Sequence, residues 1–338
     1  VDWRNGYIMT ARGQYLQADK VVLAISHPAP GTADNMLQRH EKVIANPWRS
    51  GALEVIAPGA RIAILGTGLT MADLVATLHR RRHRGHISAF SRRGLLPRSN
   101  LSAQTPEYVP EPHVPLKSVR GWLRYIRQEI RRAAQQGLPW QLVLDDIRKR
   151  GQILWQQLSL NEQRRFLRHL RPWWDVHRYR IAPQVAEVLS QWQQSGQLAV
   201  AAARLQEVRE TDNGLTLTLA LRHGATQTLD VDWLILATGP DHGALIQSDR
   251  LLTQLAGQGY LHADALGLGI AVDAQSHALD ARGQTVPWLY VVGPAARGRF
   301  GELMGLPQVA EHAETLAQTL IHDVANARHE RCPAALNP

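Results

Sequence analysis

The stretch Gly59–Gly94, GARIAILGTGLTMADLVATLHRRRHRGHISAFSRRG, constrains this chain more than any other. A strand-length run, Arg61 to Leu65, leads into a Gly-Thr-Gly turn. Apolar residues then recur at helical spacing, and a second short apolar run, HISAF, follows. Strand, glycine turn, helix and strand in this order predict an α/β fold with parallel strands. Gly66 permits a tight turn, and Gly68 lets an anion approach the backbone closely. A helix starting at Leu69 points its free amides and positive dipole end at the same place. Thr70 can donate its hydroxyl there, and Thr67 is counted among the residues of the same candidate site. Asp73 is expected in the first helical turn.

This is the chemistry of a pyrophosphate site in a dinucleotide fold. The third glycine of G-x-G-x-x-G is missing, because Met71 stands in its place. The bland alternative is an ordinary turn of an α/β domain. The second strand is expected to end near Phe90, where an NAD site usually carries Asp or Glu. Here the chain gives Ser91, Arg92 and Arg93. Arginine suits the extra 2′-phosphate of NADP through charge-assisted hydrogen bonds. The alternative is a pair of solvated surface arginines.

With 338 residues, the chain is long enough for two domains. Its single cysteine, Cys332, rules out an internal disulfide and a cysteine-rich metal site, and no metal ligands are expected. A reducing, cytoplasmic setting fits that composition. Apolar runs such as VVLAI and WLILA are far too short to cross a bilayer, so no membrane partner is expected. The charge is concentrated: Lys117–Ala182 holds fifteen Lys/Arg and five Asp/Glu, while the whole chain is +9. The basicity therefore belongs to one segment.

Around the opening unit the chain separates into regions. GYIMTA and KVVLAIS read as strands, the second buried, and HPAPG at His27–Gly31 reads as a turn. Leu116–Ser195 has helical periodicity, with Arg120, Arg124, Arg127 and Arg131 along one face. Trp122, Tyr125, Ile126 and Ile130 can face a core, and Ser159 with Glu162 has capping-box spacing. From Leu198 three alternating stretches predict a meander that leads into the buried strand Leu234–Gly239. PWLYVVGP predicts another buried strand, followed by a helix from Leu306 to about Ala325. The similar exits AISHP and ATGP suggest one nucleotide domain inserted in another. The expected division is 58–240 for the inner domain, with a basic helical insertion at 116–195, and 1–57 with 241–338 for the outer.

GTGLTMAD, SRRGLLPR, LRHLRPWWDVHRYRIAP, LILATGP and LYVVGPAARG together resemble the FAD/NAD(P)-binding oxidoreductases, flavoproteins with two dinucleotide-binding domains, distantly akin to flavin monooxygenases. The resemblance spans about Ala18 to His322. It implies a Rossmann-like α/β fold, with an NAD(P) domain set into an FAD domain and a helical insertion in the former. It implies FAD as resident cofactor and NADPH as reductant, with a reductase or monooxygenase activity on a small molecule. It places Gly239 of LILATGP at the nucleotide sites and Gly293 and Pro294 of LYVVGP near the flavin. Many relatives carry Asp where Pro294 stands. Such proteins also open with their own G-x-G-x-x-G for FAD, and nothing before Gly66 resembles it. The chain, which opens on Val1, is therefore expected to be a fragment whose FAD domain is incomplete.

In such enzymes the cofactor performs the redox step, and the protein supplies position and electrostatics. No C-x-x-C pair is present. WWDVHRYR, Trp173–Arg180, is the densest cluster of polar and aromatic groups. His177 is the candidate proton donor and Arg178 a candidate anion holder. The competing reading is a structural hinge, with Asp175 paired to an arginine. The basic segment favours an acidic substrate. Nucleic acid is an unlikely partner, since no nucleic-acid motif is present. The remaining alternative is a catalytically inactive module that binds NADP, another anionic ligand or nucleic acid.

Overall fold

The structure, a computed structural model, describes residues 2–4, 7–28, 37, 40–102, 108–111 and 116–331. Most of the HPAPG turn lies outside the described residues. The chain divides into two compact units. Val1–Pro28, Arg150–Gln163 and Asp241–Pro338 make one, and Ala29–Lys149 with Arg164–Pro240 make the other.

The first unit contains a three-stranded antiparallel sheet of β1 (Asp2–Arg4), β2 (Tyr7–Met9) and β3 (Tyr15–Gln17). A second sheet has the order β12 (His277–Leu279), β13 (Thr285–Val291), β4 (Val21–Leu23). β13 and β4 run parallel, so the two apolar runs read as buried strands lie side by side. Leu23, Ile270, Leu289 and Val291 form the core of this unit with side chains from α8 (Leu245–Ser248), α9 (Arg250–Gly257) and α10 (Arg297–Phe300). α11 runs from Leu306 to Arg331, longer than its periodicity suggested.

One helix of the long basic stretch belongs to this same unit. α4 (Gly151–Gln157) packs on α10, and the Trp155 indole N–H donates to the Gly298 carbonyl at 2.9 Å. A Cβ at Gly301 would stand 2.6 Å from Trp155 Cγ, so only glycine admits that indole.

The second unit is built on a seven-stranded sheet. Its order is β10 (Thr226–Val231), β9 (Gly214–Leu221), β8 (Leu198–Thr211), β7 (Ile87–Ser91), β6 (Ile62–Leu65), β11 (Trp233–Leu236), β5 (Val43–Ile44). β8, β7, β6, β11 and β5 are parallel, and β9 and β10 complete the expected meander. The period-two alternation sends alternate residues to opposite faces. Ile62, Ile64, Ile87 and Ile235 join one apolar cluster, while Ala63, Phe90, Leu234 and Leu236 join another. The first face is covered by α1 (Leu69–Arg80) and α7 (Pro183–Gln194), through Met71, Leu74, Val75, Leu78, Leu189 and Trp192. The second is closed by Leu215, Leu217 and Leu219 of the meander. A sheet buried on both faces is what continuous apolar strands require.

The other helices are α2 (Val119–Gln135), α3 (Trp140–Lys149), α5 (Leu160–His169) and α6 (Arg171–Arg178). Ser118 caps α2 by accepting from the Gly121 amide, and the amide of Glu162 reaches the Ser159 hydroxyl at 3.4 Å. On α2, Trp122 is buried, whereas Arg120, Arg124, Arg127 and Arg131 are exposed. Among the described residues no helix is long and apolar enough to cross a membrane.

The same helix carries a buried carboxylate, Glu129, 1% exposed. It accepts from the Tyr108 hydroxyl at 2.6 Å, the Glu111 amide at 3.0 Å and Arg132 at 3.1 Å. Burial alone would raise its pKa, but the Tyr108 hydroxyl, the Glu111 amide and Arg132 together hold it below its ordinary value. Burial and then Glu129 push the Tyr108 phenol up to about 12. A lowered carboxyl pKa stabilises the fold above the unfolded value and ceases to as pH falls through the folded one. Glu129→Gln is therefore expected to cost about 2–3 kcal/mol near pH 7 and to flatten the loss of stability on acidification below about pH 4.5. Urea denaturation across pH, followed by circular dichroism, checks both.

Candidate functional site

In the second unit three neighbouring parallel strands, β7, β6 and β11, end side by side. This is the edge where ligands of parallel sheets bind. β6 runs into Gly66, whose φ of 125° is open to glycine. Its amide donates to the Phe90 carbonyl at 2.8 Å, and a Cβ on it would stand 2.2 Å from the Ala237 carbonyl oxygen. The turn is thus clamped between β7 and the exit of β11.

Gly68 differs from Gly66. It is the N-cap of α1, no side chain caps it, and a Cβ there would meet nothing within 4 Å. The Ala72 amide makes the first helical hydrogen bond, to the Gly68 carbonyl. The amides of Leu69, Thr70 and Met71 have no acceptor among the described residues. Leu69 is exposed and Thr70 half-buried. Free amides, a dipole end and bare space meet here, as an anion requires. Met71 is fully buried under the sheet, so the missing third glycine is replaced by core packing. Asp73 needs correction: it is the fifth residue of α1, and the first turn holds no acid.

At the end of β7 the chain turns through Arg92, Arg93 and Gly94. Arg92 is exposed and Arg93 half-buried, and neither has an ion-pair partner among the described residues. Gly94, with φ of 60°, lies against β8, where a Cβ would stand 2.9 Å from the Ala202 nitrogen. Thr67 is buried and donates to the Leu95 carbonyl at 2.7 Å; Ser91 Oγ lies 2.8 Å from Thr67 Oγ1 and accepts from the Gly94 amide at 3.0 Å. Gly239, with φ of 77° and open space around it, follows Ala237 at the end of β11. The structure thus brings Gly66, Thr67, Gly68, Leu69, Thr70, Ser91, Arg92, Arg93 and Gly239 to one edge of one sheet. Gly94 and Leu95 were not among the expected residues, although a glycine after two arginines is a readable turn signal.

Gly293 and Pro294 lie in the other unit, just past the end of β13 and beside β4. Gly293 has φ of 78°, and its amide donates to His312 Nδ1 at 3.1 Å. That bond makes Nε2 the protonated nitrogen, which reaches Ser276 Oγ at 2.8 Å. Burial lowers the His312 pKa, in keeping with a neutral ring. His312 sits mid-helix, and nothing local in the sequence marks it.

WWDVHRYR forms the end of α6 and the turn after it. The Nδ1 of His177 faces the Trp173 carbonyl at 2.7 Å, one helical turn back, and its ring packs edge-on against Trp140. Arg178 is buried with its guanidinium 4.1 Å from the Tyr179 ring centre. Asp175 pairs with Arg171 at 3.4 Å, and Arg180 pairs closely with Asp145 on α3. The contacts of His177 run to Trp173 and Trp140. Among the described residues no cluster of three or more His, Cys, Asp or Glu is arranged to hold a metal.

The α/β fold with its parallel sheet is similar to that of flavoproteins with two dinucleotide-binding domains. No family model matches the sequence, and no curated protein does. Among solved structures the chain is similar to the ornithine hydroxylase of Pseudomonas aeruginosa and the L-lysine 6-monooxygenase of Pseudomonas syringae. Each has a TM-score of 0.61 and 17% identity, over 94% of this chain and 66% of the other. It is also similar to the ornithine N-hydroxylase of Kutzneria sp. 744, solved with reduced FAD, NADP+ and L-ornithine, at a TM-score of 0.52 and 18% identity. That match covers 94% of this chain and 67% of the other. This chain thus spans about two thirds of the length of these proteins.

The two turn glycines separate structure from binding. Gly66→Ala is expected to cost on the order of 3 kcal/mol or more, through strain and the clash with Ala237. Gly68→Ala is expected to leave the melting temperature nearly unchanged and to weaken dinucleotide binding about tenfold or more, because its methyl enters the space open to phosphate. Thermal denaturation and calorimetric titration of both variants check the contrast. His177→Ala is expected to change nucleotide affinity by less than about twofold, measured by the same titration.

Proposed function

We propose that this protein is an FAD-dependent oxidoreductase that uses NADPH, of the reductase or monooxygenase type. The observation that carries the reading is the edge formed by β6, β7 and β11. Its bare Gly68, unclaimed helix amides and unpaired Arg92 and Arg93 fit a dinucleotide with a 2′-phosphate. On this reading the bare Gly68 and the open amides of Leu69 and Thr70 hold the pyrophosphate, the Gly66 turn shapes that space, and Gly239 leaves the strand edge clear beside it. Arg92 and Arg93 face the 2′-phosphate and distinguish NADPH from NADH.

The parallel pair β4 and β13, with the Gly293–Pro294 turn at its carboxyl end, supports flavin binding by the other unit. The unit of Ala29–Lys149 with Arg164–Pro240 is then the NADP-binding part, and the unit of Val1–Pro28, Arg150–Gln163 and Asp241–Pro338 the FAD-binding part. The expected boundary at 57/58 moves because β5 joins the sheet of the glycine turn, and α4 leaves the inner region for the other unit. Bound FAD supplies the electron-transfer chemistry between NADPH and the acceptor. The protein's own contribution is to hold the dinucleotides in position. The similarity to hydroxylases and a monooxygenase supports the same class. The lone cysteine supports a reducing, cytoplasmic setting. The exposed arginines of α2 favour a small acidic substrate.

Two measurements test this. The Arg92→Ala/Arg93→Ala variant is expected to lose at least about tenfold in NADPH affinity, with little change for NADH; equal loss for both would refute the 2′-phosphate role. The full chain, incubated with FAD, is expected to show flavin absorption that NADPH bleaches under nitrogen. Absence of bleaching with FAD bound would overturn the oxidoreductase reading.

A further inference from the structure

Thr67 and Ser91 have the residue types of direct phosphate contacts, but their protons are already committed. Thr67 has one hydroxyl proton and gives it to the Leu95 carbonyl at 2.7 Å. The 2.8 Å contact between Thr67 Oγ1 and Ser91 Oγ must then use the Ser91 proton. Ser91 Oγ in turn accepts from the Gly94 amide at 3.0 Å. The result is a one-way chain: Gly94 N–H to Ser91, Ser91 to Thr67, Thr67 to the Leu95 carbonyl. A phosphate only accepts hydrogen bonds from such groups, and neither hydroxyl has a proton left to offer. Thr67 is also 4% exposed.

The chain joins two places that are far apart in sequence and adjacent in the sheet. Thr67 lies in the glycine turn after β6, and Ser91 ends β7. Gly94 and Leu95 flank the far side of the Arg92–Arg93 turn. Gly94 is further pinned against Ala201 and Ala202 of β8. The Gly66 amide on the Phe90 carbonyl holds the glycine turn to β7, and the two hydroxyl groups carry that link on to the far side of the Arg92–Arg93 turn.

We infer that Thr67 and Ser91 are positioning residues that set the preference for NADPH over NADH by fixing the Arg92–Arg93 turn relative to the glycine turn. This rests on the 2′-phosphate reading of those arginines. Charge-assisted bonds from a guanidinium depend on placement, and the 2′-phosphate is the group that NADH lacks. Loosening the turn costs NADPH binding and spares NADH. A plain structural brace would affect both cofactors alike.

The test is calorimetric titration of the full chain with NADPH and with NADH, alongside melting temperatures. Thr67→Val keeps the shape and removes the hydroxyl, Thr67→Ser restores it, and Ser91→Ala breaks the chain at its half-buried link. Thr67→Val and Ser91→Ala are expected to lower the NADPH-to-NADH affinity ratio about tenfold, with NADH affinity within about twofold of the wild type. Thr67→Ser is expected to keep the wild-type ratio. An unchanged ratio, or a parallel loss for both nucleotides, overturns the inference. If Thr67→Val does not fold, Ser91→Ala decides by the same ratio. Arg92→Ala/Arg93→Ala separates the two levels: if it leaves the ratio unchanged, the 2′-phosphate reading fails and the positioning role with it. If it lowers the ratio while both hydroxyl variants do not, the positioning role alone fails.

Discussion

The close approach of Gly66 to the exit of β11 is the constraint on which the nucleotide edge depends. The Gly66 amide is bound to β7, and its α-carbon faces the Ala237 carbonyl at a distance that excludes any side chain. Because β6 is paired on both sides, the turn has one available path. That path sends the chain upward into α1, with Gly68 bare and the first amides unclaimed. Met71, Leu74, Val75 and Leu78 then bury α1 against the sheet and hold its dipole in place. Backbone sterics decide the turn, and hydrophobic burial keeps the helix aimed.

The two units solve the problem of exposing a polar edge in different ways. In the sheet of the second unit the carboxyl ends of β6 and β11 are left open by glycine, while Thr67 and Ser91 occupy the space between β6 and β7. In the first unit the turn after β13 is tied back to α11 through His312, whose neutral ring accepts from Gly293 and donates to Ser276. Both arrangements use a buried side chain with a committed proton to fix a loop. Such fixed loops are the positions from which a rigid scaffold presents binding groups.

Much of the fold was legible because its signals are local. The strand–glycine–helix–strand unit carries its own turn chemistry, and period-two alternation marked the meander. The helix after Leu306 and the Ser159–Glu162 cap were also visible. What escaped depends on distant partners. Asp73 lies one residue beyond the first turn of α1, a margin that propensity does not resolve. The short strands β1, β3 and β5 carry too few residues for a periodic signal. α4 reads like its neighbours in a basic helical stretch, yet it belongs with α10 because Gly301 leaves room for Trp155. WWDVHRYR looked dense in reactive groups. The Asp175–Arg171 pair has the i,i+4 spacing and matches the reading of Asp175 paired to an arginine, whereas the contacts to Trp140 and Asp145 on α3 follow from no spacing rule.

The sequence by itself determined the α/β class, the order of the parallel strands' glycine exits and the placing of two arginines after β7, because each follows from residue type at short range. Tertiary structure alone decided which hydroxyls are spent on protein and which amides stay open. Thr67 and Ser91 are twenty-four positions apart and become partners only when β6 and β7 pair in parallel. A hydroxyl has one proton, so its role is settled by what the fold sets beside it.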